Sequence, residues 1–191
     1  MRKLKIKDIV IMAMSLCIII ICSKISIPIG PIPITLQTLS VFLVALILGS
    51  FKSFIVFTLY VILGLIGLPV FSTGGGFAYI YMPSFGFIIG FIFASVVVGF
   101  ASKSNKFYLK YILCIIGLLI INIFGVSYMY LVFNFHNGIN KDLISILEIG
   151  VLPFIIKDIF VVILSCIIYS RLKPILYKEK EEEITLFKEI N

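Results

Sequence analysis

Six long apolar runs, broken by glycine, proline and clusters of charge, constrain this chain more than any other feature. They fall at about 9–23, 34–49, 53–68, 85–101, 108–133 and 151–170. In a lipid core every backbone N–H and C=O must find a partner within the protein, and a helix supplies those partners within its own segment. The runs therefore predict membrane helices. Of the 191 residues, 61% are hydrophobic and 13% charged, and the mean hydropathy of +1.22 lies outside the range of soluble domains. Several runs are near the lower length limit for a span, and glycine or proline flanks most of them. Such short, broken spans fit helices packed around an internal cavity. The expectation is an all-α membrane protein of six transmembrane helices, one domain over 1–191. A basic N-terminus occupies about 1–8 and a mixed-charge tail about 172–191, read as a solvated helix extension or a frayed end. Met1 to Lys7 resembles the start of a signal peptide, but no small-residue cleavage site follows, so the first run reads as a retained helix.

The basic residues orient this bundle. Six spans put both termini on one side, together with Arg2, Lys3, Lys5, Lys7, Lys52, Lys103, Lys106, Lys110, Arg171, Lys173, Lys178, Lys180 and Lys188. The opposite loops hold Lys24 and Lys141. Thirteen against two predicts cytoplasmic termini by the positive-inside rule. The net charge of +7 is thus spread along a membrane topology and does not point to nucleic acid. Cys17, Cys22, Cys114 and Cys166 sit inside apolar runs without metal-ligand spacing, and read as small buried hydrophobes. Gly74 to Gly76 lack the Gly-Lys-Ser/Thr continuation of a phosphate loop, so ATP hydrolysis by this chain is not expected. His136 is isolated, and no nucleophile–base constellation suggests an enzyme. No metal or cofactor is implied.

The loops expected outside are unusual. Residues 26–33 carry Pro28, Pro31 and Pro33 and predict a stiff extended connector. Residues 69–84 hold no charge and are rich in glycine and aromatics, which predicts a lid folded back over the bundle mouth. Residues 134–148 form the polar loop. Polar side chains buried in apolar runs must find partners: Thr35, Gln37, Thr38, Tyr60, Asn122 and Asp158. With Gly75, Gly76 and Tyr79 of the lid, Thr35, Gln37, Asn122 and Asp158 would line one outward-facing pocket, the glycines letting backbone approach a ligand. Lys157 stands beside Asp158, and a charge at membrane depth marks a site. Neighbours on a helix point about 100° apart, so Asp158 is expected to face the cavity and Lys157 to face it poorly. Asp8 reads as a helix cap or interface residue. Ala13 and Cys17, Ala45 and Gly49, and Gly86, Gly90 and Ala94 repeat at intervals of four, as close-packing faces do.

Over about 9–172 the chain resembles the BioY family, the biotin-binding S components of energy-coupling factor (ECF) importers. The carriers are Ile27-Pro-Ile-Gly-Pro-Ile-Pro-Ile-Thr-Leu-Gln-Thr-Leu39, Gly64-Leu-Ile-Gly-Leu-Pro-Val-Phe-Ser72, Met82-Pro-Ser-Phe-Gly-Phe-Ile-Ile-Gly-Phe91 and Gly150-Val-Leu-Pro-Phe-Ile-Ile-Lys-Asp158. The resemblance implies an S-component-like bundle that captures biotin from outside, without enzymatic activity. It implies association with a transmembrane coupling protein and two ATPase subunits, and transport by toppling of the subunit. The family's small-residue motif for the coupling protein falls on Ala13 and Cys17. The chain departs from the pattern at several places, among them Lys157, where the family usually has glycine, and Ile88, where some members carry an arginine. Val161 stands where the family has a lysine, Phe85 and Phe87 stand for a glycine and a tyrosine, and the glycine loop is shorter and lacks an asparagine. A related acid such as lipoate, or the precursor dethiobiotin, is the alternative ligand. A membrane assembly subunit without ligand is the other alternative.

Overall fold

The computed structural model describes residues 5–28, 30–104 and 106–190, with side chains as far as 174. Each apolar run holds a helix. These are α1 (Ile6–Lys24), α2 (Gln37–Leu48), α3 (Ser50–Leu65), α4 (Phe85–Gly99), α5 (Phe107–Leu131) and α7 (Ile155–Ile190). The short helix α6 (Leu143–Gly150) begins within the stretch expected to be a polar loop and runs two residues past its end. It forms because Ile146, fully buried, packs with Met129 of α5 and with Phe154. The last run starts as a 3-10 turn, Leu152–Phe154, with Pro153 near its start, before α7 begins. Helix α7 continues through Pro174 to Ile190, so the tail is a helical extension in its backbone. Arg2 and Lys3 lie outside the described residues, as do the tail's side chains from 175 onward.

The stretches Ile6–Lys24, Phe85–Lys103, Phe107–His136 and Leu143–Pro174 are long and apolar enough to cross a membrane. Helices α2 and α3 are shorter, with 12 and 16 residues. At 1.5 Å per residue, α2 covers about 18 Å of a core about 30 Å thick. It is a central helix packed against α1, α3, α4 and α7, with Val41, Phe42, Ala45 and Leu46 fully buried. Gly49, at φ 76°, turns the chain directly from α2 into α3.

The small-residue face of α4 is used inside the bundle. A Cβ on Gly90 would lie 2.9 Å from the Cα of Ile121, so α4 and α5 meet backbone to backbone. Ala13 and Cys17 of α1 instead point away from the bundle. Cys17 is therefore not the buried hydrophobe expected of it, because α1 is a peripheral helix. Cys114 and Cys166 are buried, with their Sγ atoms 4.0 Å apart between α5 and α7. Asp8 accepts from the Lys5 N–H and pairs with Lys52, tying α1 to α3. Elsewhere the outer surface is apolar, as a bilayer requires: Ile156 is 85% exposed and Ile6 82%.

The proline connector is a small hairpin in which β1 (Ser26–Ile27) pairs antiparallel with β2 (Ile34–Thr35), Ser26 opposite Thr35. Gly30, at φ 64°, lies in the turn region. The hairpin delivers Thr35 and Gln37 to the start of α2.

Candidate functional site

Thr35 and Gln37 are bound to one another before they meet anything else. Thr35 Oγ1 donates to Gln37 Oε1 at 3.0 Å and accepts from the Gln37 N–H at 3.3 Å. Gln37 Nε2 donates to the Tyr60 hydroxyl at 2.8 Å, and Tyr60 donates to the Val70 carbonyl at 3.1 Å. Ser23 Oγ donates to the same carbonyl at 2.6 Å. Buried polar atoms are satisfied along this chain from the hairpin through α3 to the following loop. An amide has two N–H donors, so Gln37 keeps one beyond its bond to Tyr60.

The uncharged loop after α3 folds inward. Phe71 is fully buried, its ring 5.3 Å from Tyr60 and 4.5 Å from Tyr79. The ring fits over Gly64, where an added Cβ would lie 2.0 Å from it. Lys24 Nζ donates to the Phe71 carbonyl at 2.6 Å, and the Tyr128 hydroxyl donates to the Ile80 carbonyl at 2.5 Å. The 3-10 turn Phe77–Tyr81 brings Tyr79 to the cavity, with its hydroxyl 3.3 Å from those of Ser72 and Thr73. Gly75 and Gly76 do not line the cavity. Their close approach is to α3: a Cβ on Gly75 would lie 2.1 Å from the Leu68 carbonyl oxygen, and the Gly76 N–H donates to the Gly64 carbonyl at 2.7 Å. The glycines are needed because two backbones meet there.

Between the lid, the hairpin and α2, α4, α5 and α7 lies a partly open cavity, with about 540 Å³ of empty space when its open mouth is included. Its apolar wall is built from Phe87, Ile88 and Phe91 of α4, Ile121 of α5 and Phe154. Thr35, Gln37, Thr38, Tyr79, Asn122, Lys157 and Asp158 supply most of its polar groups. Asn122 Nδ2 donates to the Leu118 carbonyl at 3.0 Å, one turn back on α5. Asp158 is 7% exposed. Its Oδ1 lies 2.9 Å from Lys157 Nζ in an ion pair without the alignment of a hydrogen bond, so its acceptor capacity is not filled by the protein.

Lys157 corrects the expectation drawn from helical angles. Both Lys157 and Asp158 line the cavity, and they form an ion pair. Lys157 Nζ also donates to Thr38 Oγ1 at 3.4 Å and lies 5.5 Å from the centre of the Phe154 ring. The reason is reach. A separation of about 100° between Cβ directions binds short side chains, but the four-carbon stem of lysine swings its ammonium across that angle. Ser72 and Ser84 also line the cavity. Spacing carried no signal for them, since both sit in irregular backbone. Among the described residues, no group of three His, Cys, Asp or Glu side chains could hold a metal ion.

An acceptor set in an apolar chamber suits a compact ring bearing N–H donors. The model of the BioY family matches residues 1–178. A probable biotin transporter BioY of Lysinibacillus sphaericus is 33% identical over 170 residues, 86% of each chain. The corresponding probable transporter of Pyrococcus horikoshii is 36% identical over 171 residues, covering 89% of this chain and 98% of its own. A crystal structure of the S-component for biotin from an ECF-type ABC transporter superposes with a TM-score of 0.78 at 28% identity. It covers 88% of this chain and 92% of its own.

Proposed function

The chain belongs to the BioY family, and from that premise we propose that it captures biotin as the S component of an ECF-type importer. It is a multi-pass protein of the cell membrane. Six crossings with both termini in the cytoplasm agree with the distribution of basic residues. The observation that carries the ligand reading is Asp158 Oδ1, buried in the cavity without an aligned donor. Biotin offers a ureido ring with two N–H groups, and a carboxylate accepts such donors with charge assistance. Its fused sulfur-containing ring suits the wall of Phe87, Ile88, Phe91 and Ile121. Lys157, Asn122 and the Thr38, Ser72 and Ser84 hydroxyls are donors within the cavity for the ureido carbonyl and the carboxylate tail.

The same atom ranks the alternatives. Lipoate has no N–H donor and would leave Asp158 with Lys157 as its partner alone, whereas dethiobiotin retains the ureido group. A subunit that only supports assembly would need no chamber. Isothermal titration of the purified protein with biotin, dethiobiotin and lipoate tests the reading. Saturable binding of biotin, and none of lipoate, is expected. Binding of lipoate alone would overturn the assignment to ureido ligands, and binding of none of the three would overturn capture itself.

Lys157 is the counter-ion of Asp158 in this reading. Lys157→Met is expected to lower biotin affinity about tenfold, because a buried carboxylate left without its cation is costly. Lys157→Arg should restore most of the loss. Equal affinity in all three proteins, by the same titration, would remove Lys157 from the site.

Energy must come from partners, a transmembrane coupling protein with two ATPase subunits. Ala13 and Cys17 lie one turn apart on the exposed side of α1, where small side chains let another helix approach. The double variant Ala13→Leu/Cys17→Leu is expected to keep biotin binding while losing co-purification with the coupling protein. Retained co-purification would move the docking face elsewhere.

A further inference from the structure

We propose that the first turn of α5 binds the phosphate of an anionic phospholipid, with Lys110 as its buried cation. Helix α5 has 25 residues, and its N-cap, Lys106, gives no side-chain hydrogen bond to the opening turn. The first N–H groups of a helix have no intrahelical partner and carry the positive end of its dipole, which attracts anions. Lys110 is the second, independent observation. It is 4% exposed, yet among the described residues it has no ion pair or hydrogen bond. Its ammonium lies 5.0 Å from the centre of the Tyr169 ring and 6.0 Å from that of Phe107. Phe107 opens α5, so the lysine reaches back toward the first turn, the direction in which helical side chains lean.

A lysine this buried is normally paired. Along α7 no acidic residue stands between Asp158 and Glu179 in the sequence. The surroundings add positive charge instead. Lys103 ends the turn Phe100–Lys103 that leads to α5, and the Lys106 N–H donates to Ser104 Oγ at 3.1 Å. Lys173 Nζ donates to the Ser104 carbonyl at 3.1 Å, and the Tyr169 hydroxyl donates to the Ser102 carbonyl at 2.9 Å. These bonds hold α7 against the turn that carries the lysines. A phosphodiester would accept from the N–H groups of the opening turn and from Lys110 together. Phe107, whose ring faces the Lys110 ammonium, is 47% exposed and supplies an apolar flank that suits acyl chains and not a soluble anion.

Native mass spectrometry of the full chain, released from a neutral detergent, tests the site with phosphatidylglycerol, phosphatidylcholine or inorganic phosphate added. Phosphatidylglycerol is expected to be retained about fivefold over phosphatidylcholine, in line with one lysine near a lipid surface. Lys110→Gln should abolish the preference and Lys110→Arg should keep it, with helix content checked by circular dichroism. Equal retention of both lipids by the wild type would overturn the site, as would a preference unchanged in Lys110→Gln. Loss of the preference in Lys103→Gln alone would assign it to diffuse surface charge. Displacement of the lipid by inorganic phosphate would overturn the lipid assignment. A photoactivatable phosphatidylglycerol gives a reading on the wild type that does not depend on any variant. Label within 100–112 is expected, and label only elsewhere overturns the proposal.

Discussion

Asp158→Asn is expected to lower biotin affinity about 100-fold in isothermal titration, the largest effect of any single substitution in the cavity. Two charge-assisted hydrogen bonds at about 1.5–3 kcal/mol each account for a loss of that size. Asparagine keeps the shape but replaces one acceptor oxygen with an NH₂ group, which sets donor against donor at the ligand's ureido edge. It also leaves Lys157 without the anion 2.9 Å from its ammonium. The fold should survive, because the substitution is isosteric and Asp158 Oδ1 has no aligned hydrogen bond to lose. A normal thermal midpoint without the stabilisation that biotin gives the wild type is the expected signature. Unchanged affinity would show that Asp158 serves as a counter-ion alone and that the ligand's N–H groups go elsewhere.

Phe71→Ala should produce the largest loss of stability. The ring is fully buried, sits over Gly64 and packs against Tyr60 and Tyr79, so it joins α3, the lid and the cavity wall. Removing a core phenylalanine costs about 3–5 kcal/mol. For a chain of this size that corresponds to a fall of about 10 °C in the thermal midpoint. Biotin should also dissociate faster, since Tyr79 loses its neighbour. Gly64→Ala gives a check on mechanism. Alone it drives a methyl into the ring, 2.0 Å from its nearest atom. Combined with Phe71→Ala that clash with the ring is removed, so the double variant should lose less than the sum of the singles. Strict additivity of the two losses would show that the ring is not held in the Gly64 slot.

Much of the architecture was legible from single stretches. The apolar runs located α1 to α5 and α7, because lipid-facing and core-facing helices are both apolar and their ends need charge, glycine or proline. The charge-free loop was legible as a re-entrant element for the converse reason, since a stretch such as 69–84 has nothing to offer water. Helix α6 was not legible. Its eight residues lie between Asp142 and Val151 in a region that reads as polar, and Ile146 becomes helical by packing on Met129.

The cavity was legible in part. Thr35, Gln37, Tyr79, Asn122 and Asp158 are polar or aromatic in places where an isolated helix has no use for them, and the fold brings all five to one chamber. Gly75 and Gly76 misled because a glycine signals close approach without saying to what, and here the partner is α3 backbone. Ser72 and Ser84 passed unnoticed, since a serine in a loop is ordinary until the loop folds inward.

By itself the sequence determined the membrane class, the placement of α1 to α5 and α7, and the family, because these depend on local hydropathy and on motifs read along the chain. Only the tertiary structure decided that Lys157 joins Asp158 in the cavity, that Gln37 is held by Tyr60, and that Lys110 is buried beside the Tyr169 ring. Those outcomes turn on the reach of long side chains and on which buried polar atoms find partners across the bundle, and neither quantity is written in the order of residues.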